Sequence, residues 1–383
     1  MLHSSCRRGV GAEEKAKPSA ARGGLMMMPL RTVPEYARQR GRESFLLGSG
    51  ARVGFTGGRF CAMTARLRRS IHRAGSTPEL DTGGKMQTRR IAATALSLCW
   101  LSLHEVAAEE NGEGPIHFTP IFEEGAESAV DSPGIPILFH GGPVMGTNPD
   151  GSNTPNLYYI WYGNWDGNTA LDILPDLAAN IGGSPYFNIN TTYTDAFGNP
   201  VINAVNYGDA AFDFYSQGTT IGNMSNVVRG ALDRGDLPLD YNGIYFVLTS
   251  RDVTTSGFCS RHCGYHGAFS FQGTPVKYGF IGNSERCLNG CARNRVTSPN
   301  DNLGADGMAN IIAHELEEAV TDPQLNAWYD SRGQENADKC AWTFSNVFTE
   351  PNGSAANMTL GARDYLIQRN WANDGGGYCA QFF

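Results

Sequence analysis

The chain has 383 residues, a formal net charge of −8 and nine cysteines. The charge is divided unevenly: residues 1–108 carry 18 Lys and Arg against 7 Asp and Glu, a net of +11, whereas residues 109–383 carry 12 against 31, a net of −19. A region this acidic repels polyanions, which argues against nucleic acid and anionic membranes as partners. The 275 residues from 109 to 383 are enough for one sizeable core and are predicted to form a single domain.

Residues 86–108 have the layout of a secretory signal peptide. Arg89 and Arg90 precede an apolar run over residues 91–103, and the small residues Ala107 and Ala108 follow it. The run is too short to span a bilayer, which takes about 20 residues. We therefore predict cleavage after Ala108 and an extracellular or cell-wall location, without a membrane span; a buried helix is the alternative.

Residues 1–85 precede this signal and are Arg-rich, with no sustained hydrophobic periodicity. Because a signal peptide is read at the N-terminus of a chain, we interpret them as an extension of the gene model or as a disordered leader. A transit peptide is the alternative interpretation. The predicted organisation is thus an extension over 1–85, a signal peptide over 86–108 and one domain over 109–383.

Predicted strands and helices alternate along residues 109–383, a pattern typical of a layered α/β domain with a mixed sheet. Strands are predicted from β-rich apolar runs at residues 157–162, 186–194 and 244–249, with a hairpin formed by 268–271 and 277–281. Helices are predicted at 169–181, 221–232 and 306–321, and a turn at 195–199.

Cysteine usage agrees with export. Six cysteines lie in the predicted domain, namely Cys259, Cys263, Cys287, Cys291, Cys340 and Cys379. An even set in an exported chain indicates disulfides, which would make the domain disulfide-bonded, but does not give their connectivity. The two pairs spaced Cys-x3-Cys would also suit zinc, which is the alternative. Four glycosylation sequons, at Asn190, Asn223, Asn352 and Asn357, predict exposed loops.

The helix predicted at 306–321, with Asp306 as its N-cap, contains the run His314-Glu315-Leu316-Glu317-Glu318. His314 and Glu318 are spaced i and i+4, so their side chains stack on one face and can share an ion. Glu315 points to the side, where it can reach a metal-bound water. A solvated charged face is the alternative, but Ile311 lies in the same polar arc and argues against it.

A third metal ligand is expected downstream, from Glu335 or Asp338, in a segment that a disulfide at Cys340 would hold in place. Residues 313–322 resemble the zinc helix of thermolysin-type metalloproteases, with Glu318 where that family has its second histidine. The resemblance implies His314 and Glu318 as ligands, Glu335 or Asp338 as the third ligand, and Glu315 as the general base.

The carboxylate of Glu318 in place of an imidazole makes this candidate site harder and more negative. Zinc is the first expectation, while manganese, magnesium and calcium remain open. Two carboxylate ligands would neutralise a divalent ion and make it a weaker Lewis acid, so a purely structural role for the metal is also open. Three further histidines, His140, His262 and His266, are interpreted first as polar turn and loop residues, with a role as metal ligands as the alternative.

Several motifs carry a resemblance that covers nearly the whole predicted domain. They are His140-Gly141-Gly142-Pro143-Val144, residues 157–165, residues 247–253, Phe258-Cys259, Cys263-Gly264-Tyr265-His266-Gly267, residues 287–291, Asp306-Gly307-Met308 and Ala313-His314-Glu315-Leu316. In these motifs the chain resembles the Exordium family, also called phosphate-induced proteins. The resemblance implies an extracellular or cell-wall protein linked to growth and, in plants, to brassinosteroid and nutrient responses. Glu317 departs from the family pattern, which often has a small residue there.

Two functional hypotheses follow. The first is a non-catalytic extracellular growth or nutrient-response protein, whose acidic surface binds a cell-wall component or a receptor and whose helix site, with or without metal, supports folding. The alternative is a metal-dependent hydrolase that acts on peptide or another cell-wall substrate through His314, Glu315 and Glu318. The missing second histidine favours the first hypothesis. The sequence sets neither the substrate nor the oligomeric state.

Overall fold

The computed structural model describes residues 114–122 and 135–383. The predicted leader over 1–85 and the predicted signal peptide over 86–108 lie outside the described residues. Within the described part of the chain, no helix combines the length and the apolar character needed to cross a membrane.

One mixed sheet forms the centre of the domain. Its strands are β1 (Ile116–Pro120), β2 (Asn156–Tyr162), β3 (Asn206–Asp213), β4 (Gly243–Thr249), β5 (His262–Phe271) and β6 (Thr274–Ile281). They lie in the order β1-β5-β6-β4-β2-β3. Strands β3, β2, β4 and β6 are parallel, whereas β5 is antiparallel to β6 and β1 is antiparallel to β5. The prediction of an α/β domain with a mixed sheet is therefore confirmed.

The longer helices are α1 (Ala170–Ile181), α2 (Ser225–Arg234) and α3 (Leu303–Thr321). Helix α3 packs against β1, β5 and β6 on one side and contacts α1. Every residue from Gly304 to Thr321 is buried. Its charged side chains are thus enclosed by protein, and the alternative of a solvated charged face is wrong.

Short elements complete the domain. Paired strands of two or three residues are Leu138–Phe139 with Trp328–Tyr329, Thr220–Ile221 with Thr254–Thr255, Phe348–Thr349 with Ala355–Ala356, Met358–Leu360 with Arg363–Tyr365, and Asn370–Ala372 with Tyr378–Ala380. Single helical turns span Phe187–Thr192, Ser284–Arg286, Leu288–Cys291 and Asp338–Cys340.

All six cysteines of the predicted domain form disulfides, so the zinc alternative for them is wrong. The pairs are Cys259–Cys287, Cys263–Cys291 and Cys340–Cys379. The first two run side by side and tie the start of β5 to the turns that precede α3. The third ties the turn Asp338–Cys340 to the C-terminal strand.

Three predicted elements differ from the structure. The strand predicted at 186–194 is instead the 3-10 turn Phe187–Thr192, because its buried residues recur with helical spacing. The helix predicted at 221–232 begins only at Ser225. Helix α3 begins at Leu303, and its N-cap is Asn302, whose side chain accepts a hydrogen bond from the Ala305 N–H, rather than Asp306.

The sequons do not all lie on exposed loops. Asn352 is exposed and Asn223 is half-buried. Asn190 and Asn357 are buried, and the Asn357 amide is hydrogen-bonded within the core. The prediction of exposed loops is therefore wrong for these two residues, because the chain folds their segments under the C-terminal strands.

Gly264 in β5 permits the close approach of α3. A Cβ at this position would lie 2.5 Å from Ile311 Cγ2 and 3.1 Å from Glu315 Oε1. We expect Gly264→Ala to lower the free energy of unfolding by about 1–3 kcal/mol through overpacking, measured by urea denaturation. Gly222→Ala is the matched control, since a Cβ there meets nothing within 4 Å. An equal loss in both variants would contradict this account.

Candidate metal centre

Helix α3 provides three side chains that meet in the protein interior. His314, Glu315 and Glu318 are all fully buried. His314 Nε2 lies 3.0 Å from Glu318 Oε1, the i and i+4 stacking expected from the sequence. Glu315 projects beside them towards β1 and β5.

The two acids predicted downstream join the same cluster. The N–H of Asp338 donates a hydrogen bond of 3.1 Å to Glu318 Oε1, and Asp338 Oδ1 lies 3.5 Å from His314 Nε2. Glu335, which is 2% exposed, lies one turn earlier and faces the sheet. All five residues singled out in the sequence are thus brought together; their roles as ligands or base stay a prediction.

The sheet adds two histidines. His117 on β1 and His266 on β5 are directly paired across the two antiparallel strands. His117 Nε2 is hydrogen-bonded to Asp338. His266 Nε2 lies 3.4 Å from Glu335 Oε1 and 3.9 Å from Glu318 Oε2.

His117 was not identified from the sequence, and the interpretation of His266 as a loop residue is wrong. His266 lies in a long strand and is buried. The signal for His117 was weak: residues 116–120 alternate Ile, His, Phe, Thr and Pro, which puts His117 and Thr119 on one face of a strand. The acidic, Gly- and Pro-rich surroundings hid that alternation.

Two neutral side chains orient the cluster. The hydroxyl of Thr119 donates a hydrogen bond to Glu315 Oε1. The side-chain amide of Gln368 is hydrogen-bonded to Nδ1 of His314, which directs Nε2 towards Glu318. No pattern around Gln368 in the sequence pointed to this contact, because it depends on the path of the C-terminal segment.

The two remaining histidines of the prediction lie outside the cluster. His140 is exposed and stacks on Tyr329, with ring centroids 3.7 Å apart. His262 lies in β5 rather than in a loop, and its Nε2 is 3.1 Å from the Ser256 carbonyl oxygen. Neither joins the charged side chains around Glu318.

Many polar atoms of the cluster have no hydrogen-bond partner. They are His314 Nε2, Glu315 Oε2, Glu318 Oε2, Glu335 Oε2 and Asp338 Oδ1. More than nine in ten buried polar groups in proteins are hydrogen-bonded, and an unpaired buried charge is costly. The convergence of such atoms from separate elements makes this cluster the candidate site for a bound cation.

The histidines of the cluster have opposite electrostatic environments. Burial disfavours the charged ring of His117, but the hydrogen bond to Asp338 and the nearby carboxylates outweigh it and raise its pKa to about 9. Burial also opposes charge on His314, yet the carboxylates of Glu318 and Asp338 raise its pKa well above the usual range. For His266, burial lowers the pKa well below the usual range, and the charges of the other two histidines add to that effect.

The acids divide in the same way. Burial raises the pKa of the Glu315 and Glu335 carboxyls well above their usual range, and neighbouring carboxylates add to it. Burial also disfavours the carboxylate of Asp338, but the hydrogen bond from His117 and the positive charges of His117 and His314 hold its pKa well below the usual range. A buried carboxyl in this cluster is therefore ionised only where a cation lies next to it.

The cluster offers imidazole nitrogens and carboxylate oxygens, the donors that zinc and manganese accept in proteins. Two sets of three residues have one ligand atom each within 4.8 Å of one another: His117, Glu318 and Asp338, and His266, Glu315 and Glu318. Solvent reaches the cluster mainly at His117, whose side chain is 23% exposed. The geometry suits ion binding better than access for a large substrate.

The comparisons with known proteins agree with one another. The family described as "Phosphate-induced protein 1 conserved region" matches residues 137–355. The protein EXORDIUM-like 3 of Arabidopsis thaliana is 29% identical over 66% of this chain and 85% of its own length. EXORDIUM-like 5 of the same plant is 30% identical over 62% of the chain and 75% of its own length. The protein PHOSPHATE-INDUCED 1 of Nicotiana tabacum is 31% identical over 27% of the chain and 40% of its own length. No solved structure matches the chain.

Proposed function

The chain belongs to the Exordium, or phosphate-induced protein 1, family, and on that premise we propose that it is an extracellular protein of growth or nutrient response. In this proposal its acidic domain binds a cell-wall component or an extracellular receptor. A divalent cation, zinc or manganese, occupies the cluster around Glu318 and holds the domain together. The role is non-catalytic.

The extracellular location is supported by the three disulfides, since such bonds persist in oxidising compartments and are rare in the cytosol. The nutrient role is supported by the name of one relative, PHOSPHATE-INDUCED 1, and the growth role by the resemblance to the Exordium family. We expect the protein to accumulate in the medium and wall fraction of expressing plant cells, and its level to rise after phosphate is supplied. Immunoblots of the fractions test both points. Retention in the cytosol, or a level indifferent to phosphate, would contradict the proposal.

The cation is supported by one observation above all: buried, unpartnered oxygens and a nitrogen of α3 and of the segment after it converge around Glu318. A divalent cation satisfies such atoms without requiring a donor for each of them. The structural role is supported by the full burial of His314, Glu315 and Glu318, which leaves a polymer or peptide no direct approach to them.

Metal affinity should depend on pH because ligands bind in their unprotonated form. Below pH 9 an incoming ion must displace the proton that Asp338 holds on His117, whose pKa is raised to about 9. We expect affinity for zinc to rise at least about tenfold per pH unit from pH 6 towards pH 9, since His314 and the buried carboxyls must release protons as well as His117. Calorimetric titration at several pH values, in two buffers of different ionisation enthalpy, measures both affinity and released protons. Affinity that is flat with pH would exclude His117 as a ligand.

A metal-dependent hydrolase is the second candidate, favoured by the buried and unpartnered Glu315 Oε2 beside His314 on α3. In that case Glu315 is the base that takes a proton from a metal-bound water. Glu315→Gln would then keep all of its metal and lose at least about a hundredfold in turnover on peptide or wall polymers. Wild-type protein with full metal content and no turnover on either substrate class would dismiss this candidate.

A further inference from the structure

The cluster around Glu318 contains two sets of ligands rather than one. One set joins His117 and Asp338 to Glu318, and the other joins His266 and Glu315 to Glu318. Only Glu318 belongs to both sets. The number of ions that the domain holds follows from this division, given the metal binding proposed above.

The two carboxylate oxygens of Glu318 face different partners. Its Oε1 lies 3.0 Å from His314 Nε2 and accepts the Asp338 N–H at 3.1 Å. Its Oε2 lies 3.9 Å from His266 Nε2 and has no hydrogen-bond partner. A carboxylate that presents one oxygen to each of two ligand sets has the arrangement of a bridge between two metal ions, which in such sites lie about 3.5–4 Å apart.

Each side has enough donors for an ion of its own. On the first side, Asp338 Oδ1 lies 3.5 Å from His314 Nε2, and the other oxygen of Asp338 is hydrogen-bonded to His117 Nε2. On the second side, Glu335 Oε1 lies 3.4 Å from His266 Nε2, and the same oxygen lies 3.6 Å from His117 Nδ1 of the first set. With Glu318 shared, a first ion would be held by His117, His314, Asp338 and Glu318, and a second by His266, Glu315, Glu335 and Glu318.

Unpartnered atoms occur on both sides of the bridge. His314 Nε2 and Asp338 Oδ1 lack partners on the first side, and Glu315 Oε2 and Glu335 Oε2 lack them on the second. An ion on the first side alone would leave Glu315 Oε2 and Glu335 Oε2 without a partner. Because buried polar atoms are rarely left without a partner, the unpartnered atoms in both ligand sets favour one cation in each set.

Charge balance leads to the same number. The cluster buries four carboxylates, those of Glu315, Glu318, Glu335 and Asp338. In the unprotonated form that binds metal, the four carboxylates carry four negative charges, which two divalent ions balance while the imidazoles are neutral. Uncompensated buried charge is strongly destabilising. We propose that the domain holds two divalent cations of the zinc or manganese class, bridged by the carboxylate of Glu318.

The test counts ions in the full chain as it is expressed and secreted. Protein is dialysed against Mn²⁺, or in a second series Zn²⁺, then freed of loose metal and analysed for metal per chain. We expect two ions for the wild type and for His140→Ala, whose ring lies outside the cluster, and one for His266→Ala. One ion in the wild type would overturn the bridged pair and leave the metal-binding proposal standing, whereas no bound ion would overturn both.

A second readout removes any dependence on whether the variants fold. Two Mn²⁺ ions that share a carboxylate are magnetically coupled, so the electron paramagnetic resonance spectrum of the wild type should differ from that of isolated Mn²⁺. The spectrum of His266→Ala should be that of an isolated ion. An uncoupled spectrum from fully loaded wild-type protein would overturn the inference by itself.

Discussion

Glu318→Gln is expected to abolish tight metal binding, while the same change at the neighbouring Glu317 leaves it intact. Both acids are fully buried on α3, so the pair of variants compares position rather than burial. Glu318 touches both ligand sets of the cluster. Glu317 instead accepts a hydrogen bond of 2.5 Å from the Asn370 amide, which a glutamine oxygen can also accept.

The expected loss of metal affinity follows from the role of the Glu318 side chain. Loss of an outer hydrogen-bond partner of a metal ligand costs 10- to about 100-fold in affinity, so loss of the shared ligand Glu318 should cost at least about a hundredfold. Metal at about 100 times its Kd stabilises the wild type by about 2.7 kcal/mol. Calorimetric melting with and without metal should show this gain in wild type and Glu317→Gln, and none in Glu318→Gln. A metal-dependent rise in Tm that survives in Glu318→Gln would remove the cluster as the binding site.

Removal of the Cys340–Cys379 disulfide should weaken both the fold and the metal site. The bond closes a segment with a sequence separation of 39, for which chain entropy predicts a loss of about 4 kcal/mol in unfolding free energy. Cys340 also ends the turn Asp338–Cys340, so the bond fixes the acid that contacts His117 and His314. We therefore expect the double serine variant to bind zinc more weakly as well.

The matched control is removal of Cys259–Cys287, which lies beside Cys263–Cys291. The surviving neighbour still closes nearly the same segment, so only a loop of about ten residues is released and the expected loss is closer to 3 kcal/mol. Its metal affinity should stay at the wild-type value. Guanidinium denaturation and zinc titration measure the two effects; equal affinity in both double variants would show that the Asp338 turn keeps its place without the bond.

Local patterns in the sequence were sufficient for part of the fold. The apolar runs of β2 and β4 and the stop of α1 before Gly182 were predicted correctly, because a buried strand and a helix end are set by neighbouring residues. Helix α3 was predicted three residues short. Gly307 lowers the intrinsic helix propensity of this segment. Its presence in the helix is explained by packing, because a Cβ there would lie 2.4 Å from Ser284 Cβ.

The sequence by itself determined the part of the candidate centre that lies on one helix. His314, Glu315 and Glu318 are four residues or fewer apart, and helical geometry alone puts His314 and Glu318 in contact. The acidic segment after the helix, and the preference for disulfides over zinc at the cysteines, also followed from spacing and from the predicted export.

Only the tertiary structure decided how the cluster is completed. His117 meets His266 because β1 pairs with β5 in one particular register, and a shift of one residue would turn His117 to the other face of the sheet. That register, the disulfide pairing and the contact of Gln368 with His314 join residues far apart in the chain. No local periodicity encodes such contacts, since they are fixed by how separate elements pack rather than by the residues beside them.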